Sequence, residues 1–209
     1  MKIAVVAANG RAGQNIVYEA YHRKHEVVAF GRGMNKTITS HYIRKDIFYI
    51  TKSDLYDFDV VVDAFGVWIP DLFENYKYSI QHLCKLLKGS KTRLIVVGNS
   101  GGLYTDETHQ ELFYESLDFP HAFKQVAAAA YKAWDELKTH DDVQWTYIVP
   151  AADFQPEGPR IHKYIIGGEE LFYNDKGESI ISYGDYAIAV LDEIENGDYI
   201  QDRISVVRA

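Results

Sequence analysis

The order of events at the start of the chain constrains its fold more than any other feature. Lys2-Ile3-Ala4-Val5-Val6-Ala7-Ala8 is a continuous apolar run that meets Asn9-Gly10-Arg11-Ala12-Gly13, and an amphipathic segment follows from Gln14. An apolar run without alternation fits a strand covered on both faces. A glycine turn leading from such a strand into a helix lets backbone N–H groups and the helix's positive end approach a pyrophosphate. Ala7 stands where the first of three glycines is usual in a dinucleotide fingerprint. On these residues alone, an ordinary strand-to-helix turn using glycine for its backbone freedom remains the alternative.

The same alternation of strand and helix continues. A helix is expected over residues 13 to 23, followed by strands over 25 to 30 and 41 to 44. Asp59-Val60-Val61-Val62-Asp63 reads as a central strand, then a helix over 76 to 87, a strand over 93 to 97, a helix over about 121 to 138 and a strand over 145 to 149. Residues 151 to 180 carry Pro156, Gly158, Pro159, Gly167 and Gly168, and read as an irregular region with a hairpin around Asn174 to Gly177. A helix over 186 to 196 and a strand over 203 to 207 close the chain. Strands separated by helices imply right-handed crossovers, so the expected fold is an α/β, Rossmann-type, doubly wound parallel sheet. The 209 residues fit a single domain, with 151 to 180 as its substrate side.

Charge and cysteine content narrow the classes of function. A net charge of -8 argues against nucleic acid or an anionic membrane surface as partner. No segment reaches membrane-spanning length, and residues 3 to 8 are too short for a signal-peptide core. The single cysteine, Cys84, fits a reducing compartment, and the cytoplasm is the expected location. It shares a helical face with Ile80, Leu83 and Leu87 and reads as a core thiol. His22 and His25 lack a nearby third ligand, so no metal site is expected. Asp185 reads as a helix cap rather than a general base. Oligomeric state is not legible.

In doubly wound sheets, ligands lie beyond the carboxyl ends of the strands. At the end of the second strand stands Gly31-Arg32. A guanidinium there pairs with a 2′-phosphate, and Arg11 in the glycine turn is placed to reach the same group, so NADP(H) is expected over NAD(H). The alternative for Arg32 is a solvated loop arginine. Asp46-Ile47 follows the third strand, where a carboxylate and an apolar side chain suit an adenine edge and face. Ala64-Phe65-Gly66 offers small residues and an aromatic ring along the cofactor's path. Ser100, after the fifth strand, presents a hydroxyl toward a nicotinamide or a substrate carbonyl. Lys124 on the next helix is a candidate for a ribose hydroxyl or phosphate, with plain solvent exposure as its alternative. Ser100 and Lys124 are the two catalytic candidates.

Taken together, these residues resemble the atypical short-chain dehydrogenase/reductase group that includes NADH-flavin reductases and NmrA-like proteins. The resemblance runs through Asn9-Gly10-Arg11-Ala12-Gly13, Lys45-Asp46-Ile47-Phe48, Asp63-Ala64-Phe65-Gly66, Val96-Val97-Gly98 and Asp118-Phe119-Pro120 with Lys124. It continues in Trp145-Thr146, Pro150-Ala151-Ala152 and Ile181-Ser182-Tyr183-Gly184-Asp185-Tyr186-Ala187. It implies a nicotinamide cofactor bound along Ala8 to Gly13, Arg32 and the strand ends including Pro150 and Ala151. It also implies a pocket open to a flavin or another flat acceptor. Phe154, Tyr164, Phe172, Tyr173, Tyr183 and Tyr186 supply rings for stacking or for covering the sheet.

One departure matters. No tyrosine in the chain is followed four residues later by lysine, and Ala127-Ala128-Ala129-Ala130 fills the helix where relatives place such groups. Carbonyl reduction through a tyrosine acid is therefore not expected. The expectation is hydride transfer from NADPH to a flavin or similar acceptor without that pair. A non-catalytic NAD(P)(H)-binding redox sensor of the NmrA type is the alternative.

Overall fold

The apolar runs assemble side by side, each covered on both faces. The protein is described over residues 1–209 by a computed structural model. Its strands are β1 (Lys2–Val6), β2 (Glu26–Gly31), β3 (Tyr42–Arg44), β4 (Val60–Asp63), β5 (Arg93–Val97), β6 (Trp145–Pro150), β7 (Asp153–Gln155), β8 (Tyr164–Gly167), β9 (Ile180–Ser182) and β10 (Asp202–Arg208). Its helices are α1 (Arg11–His22), α2 (Lys52–Leu55), α3 (Asn75–Leu87), α4 (Lys124–Leu137) and α5 (Tyr183–Asn196).

Eight strands form one sheet in the order β3-β2-β1-β4-β5-β6-β10-β8, parallel throughout except for β8, which runs antiparallel on the β10 edge. The register follows from the two-residue period of a strand. Ile3 and Val5 face the same side as their partners Val60 and Val62, under α1 and α5. Ala4 and Val6, with Val61 and Leu94, face α3 and α4. A slip of one residue would exchange these two cores, so burial on both faces pins the pairing. Cys84 is buried on the α3 side, and burial pushes its thiol up to about 12.

Several expectations shift by up to three residues, the last helix among them, which begins at Tyr183 and not at residue 186. α1 begins at Arg11 and not at Gly13, and the fourth helix begins at Lys124 after a 3-10 turn over His121–Phe123. No hairpin forms at Asn174 to Gly177. That segment is a tight turn in which Asn174 Oδ1 accepts the Lys176 and Glu178 N–H groups at 3.0 Å. The strands on either side of it go elsewhere: β8 joins β10, and β9 pairs parallel with β7. Asp185 does not cap α5. Ser182 does, accepting the Asp185 N–H at 3.0 Å, while the buried Asp185 carboxylate accepts the Ile161 and His162 N–H groups at 2.9–3.1 Å. It pins the loop before β8 to the start of α5.

Candidate functional site

The winding direction reverses between β1 and β4, and a groove of about 1390 Å³ runs along the carboxyl ends of the strands there. Its first corner is the glycine turn. Ala7 has φ 55, the left-handed region, so the missing first glycine of the fingerprint is replaced by an alanine that keeps the glycine's backbone conformation. Gly13 is required by packing: a Cβ there would lie 2.7 Å from the Ala8 Cα, and its absence lets α1 sit on the end of β1. α1 has Gly10 at its N-cap with no side-chain cap, and no acidic residue in its first turn. Its open N–H groups and positive end therefore face the groove without a competing anion, which suits a pyrophosphate.

Arg11, Arg32, Lys36, Lys45 and Asp46 line the corner toward β3. Asp46 Oδ1 accepts the Phe48 N–H at 3.0 Å, and its other oxygen lies 3.7 Å from Arg32 Nε. Lys45 is committed to Asp54 at 2.6 Å. Cations outnumber free carboxylates here, so this end attracts an anion beyond the pyrophosphate. Ile47 also lines it.

Past β4 the floor becomes aromatic. Ala64, Phe65 and Gly66 line the groove, with Phe65 set edge-on to Tyr76 at 5.7 Å between ring centroids. Beneath them Asp63 is fully buried. Its Oδ1 accepts the Phe65 N–H at 2.9 Å, and burial pushes the carboxyl up to about 6. Ser100 begins a 3-10 turn capped by Asn99, whose side chain accepts the Gly101 N–H at 2.9 Å. A Cβ at Gly101 would lie 2.6 Å from the Ala127 Cβ. The alanine run on α4 thus serves the close approach of that helix to the Ser100 turn.

Phe113, Phe119, Phe123 and Trp68 line the groove, as do Phe154, Tyr173 and Tyr183, and Tyr183 lies within electrostatic reach of Arg11. Trp68 and Phe123 meet edge to face at 6.0 Å across the rim, and Phe154 stacks on Tyr183 at 3.7 Å.

Asn9, Gly10, Arg11, Ala12, Arg32, Asp46, Ile47, Ala64, Phe65, Gly66, Ser100 and Pro150 all line this one groove. Ala8, Gly13 and Ala151 are buried just behind it. Lys124 is drawn away: its Nζ donates to the Ser116 and Glu115 carbonyls at 3.0 and 3.3 Å. Tyr164 and Phe172 pack against the core, and Tyr186 is buried with its hydroxyl on the Ile148 carbonyl at 2.7 Å. His22 and His25 are engaged by the Tyr18 carbonyl and Glu195. Lys36, Trp68, Phe113 and Phe123 have no signal in the sequence reading. Asp63 enters it as a strand end and in the family resemblance, and Phe119 in the resemblance alone, both without a role in the site. Asp63 had a signal, a carboxylate ending an apolar strand, whereas the loop aromatics follow no periodicity.

A switch-point groove with an uncapped glycine turn and a cationic corner defines a dinucleotide-binding protein of the Rossmann type. The comparisons agree with that class. No family model matches the chain. It is 38% identical over 210 residues to the uncharacterized protein YwnB of Bacillus subtilis, across 99% of this chain and 98% of that one. The crystal structure of a "putative NADH-flavin reductase" from Streptococcus pneumoniae is 45% identical, with TM-score 0.97 over the whole of both chains. A Lactobacillus casei protein is 33% identical with TM-score 0.90, again over both chains entirely. The chain belongs to the atypical short-chain dehydrogenase/reductase family, among its NmrA-like, NAD(P)-binding members. No helix is long and apolar enough to cross a membrane.

Proposed function

We propose that the protein is an NADPH-dependent oxidoreductase that passes hydride to a flavin or similar flat acceptor, bound as a second substrate. The observation that carries this reading is a single groove lined both by a set of cations and by a set of aromatic rings. Its volume of about 1390 Å³ exceeds the roughly 300–1,000 Å³ usual for one small ligand, which leaves room for a dinucleotide and a second ring system. The reduced nicotinamide supplies the hydride when bound. The chain's own residues bind and orient: the α1 N-terminus takes the pyrophosphate, Arg11 and Arg32 a 2′-phosphate, and Asp46 with Ile47 the adenine. The Ser100 turn faces the nicotinamide end, and the surrounding rings exclude water and hold a flat acceptor parallel to it. Hydride transfer between stacked rings needs positioning above all, which accords with the absence of a tyrosine–lysine pair.

The Streptococcus pneumoniae relative carries a flavin-reductase description, which supports the acceptor class; its named donor is NADH. The preference for NADPH rests on the cationic corner of this chain. Mixing the protein with NADPH and FMN and following the nicotinamide absorbance tests the activity. Protein-dependent oxidation is the expected outcome. Tight binding of both redox forms without turnover of any flavin or quinone would instead make the protein a nicotinamide redox sensor.

A further inference from the structure

Asn9 belongs to the glycine turn, yet its side chain serves a different segment. Its Nδ2 donates to the Met34 carbonyl and to the Tyr42 hydroxyl, both at 2.9 Å, and its Oδ1 accepts the Lys36 N–H at 2.9 Å. The Tyr42 hydroxyl donates in turn to the Gly33 carbonyl at 2.8 Å. Gly31 makes this crossing possible, because a Cβ there would lie 2.5 Å from the Tyr42 hydroxyl and 3.0 Å from Asn9 Nδ2. Residues 33 to 36 are thereby tied to the same turn that receives the pyrophosphate. They follow Arg32 and carry Lys36, and both side chains line the groove with Arg11. The ion pairs at this corner are Arg32–Asp46 at 3.7 Å and Lys45–Asp54 at 2.6 Å, which leave Arg11 and Lys36 unpaired.

We propose that Asn9 and Tyr42 are positioning residues that set cofactor specificity, by holding Lys36 on the wall shared with Arg11 and Arg32. The three cations form one seat for the phosphate of a 2′-phosphorylated adenosine. This inference rests on the NADPH reading and adds to it a third cation and the device that places it. A flexible lysine gains most as a phosphate ligand when its backbone is already fixed, because less freedom is then lost on binding. The carboxamide and phenol provide that fixing without touching the ligand's phosphate themselves.

Calorimetry with adenosine 2′,5′-bisphosphate and with ADP as probes separates the roles, since only the first carries the 2′-phosphate. The readout is the ratio of the two affinities, which general damage to the fold would not move. Lys36→Met, at an exposed position, lowers the ratio about ten-fold. Tyr42→Phe, which keeps the ring, lowers it about five-fold, in line with loss of the bonds that place the loop. If both variants keep the ratio within about two-fold of wild type while Arg32→Ala collapses it, the NADPH reading stands and the positioning role falls. Equal weakening of both probes by Tyr42→Phe also overturns that role. If the wild-type protein binds the bisphosphate no more tightly than ADP, the NADPH reading and this inference fall together.

Discussion

The Asp63 carboxylate, buried in the wall of the groove, accepts the Phe65 N–H at 2.9 Å and so fixes the turn by which the chain leaves β4. Burial raises its pKa from 3.8 to about 6, because the charged form is poorly solvated there. A carboxyl whose folded pKa exceeds its unfolded value contributes stability that is complete below about pH 4 and is lost as pH rises through about 6. Asp63→Asn keeps an acceptor for the Phe65 N–H and removes the charge. The variant's stability relative to wild type should therefore increase between pH 4 and 7, by up to about 3 kcal/mol. Urea unfolding of both proteins across that range measures it, and a difference that stays constant with pH would contradict the account.

Ala7 holds φ 55, a conformation that costs an L-residue about 1–2 kcal/mol. Ala7→Gly removes that strain but adds freedom to the unfolded chain, for a net stabilisation of about 0.5–1 kcal/mol. Thermal unfolding checks the sign. A loss of stability would mean that packing around the Ala7 methyl outweighs its backbone strain.

Arg32 is exposed and only loosely paired with Asp46, so its removal should cost little stability. Arg32→Ala should weaken NADPH by about ten-fold or more and NADH much less, because only NADPH carries the additional phosphate. Affinities measured side by side decide the matter. Equal losses for the two cofactors would assign Arg32 another role.

Trp68 is exposed, lines the groove and stands edge-on to Phe123. Trp68→Ala should raise the KM for a flavin acceptor about ten-fold while leaving the KM for NADPH nearly unchanged, as expected for loss of an aromatic contact. A rise in the KM for NADPH alone would place the acceptor elsewhere.

The sheet was legible because both of its faces are covered. Runs such as Val60 to Asp63 are apolar without interruption, and strands with that pattern could be placed within a residue or two. The residues of the cationic corner could be gathered for a related reason: they stand at the ends of neighbouring strands, and a parallel sheet brings those ends to one groove. The acceptor end was far less legible. Phe113, Phe119 and Phe123 come from short 3-10 turns and loops, where no period distinguishes a ring that lines a groove from one that fills a gap. Lys124 shows what sequence leaves out on the other side, since a cation at a helix start reads as a ligand, while the structure shows two backbone carbonyls accepting from it. Asn9 reads as part of a turn, because sequence does not show which segment a carboxamide will cross to.

β7 and β9 pair only with each other, through Asp153–Ile180, Phe154–Ile181 and Gln155–Ser182, and remain apart from the eight-stranded sheet. Between them the chain makes a long excursion, fastened midway by Asp185 and by the β8 edge. Pro156 and Tyr173 of that excursion line the groove, and Arg160 pairs with Glu19 on α1. In evolutionary terms, this stretch answers to two neighbours at once, the groove it lines and the helix that follows the glycine turn, so a change within it would be felt at both.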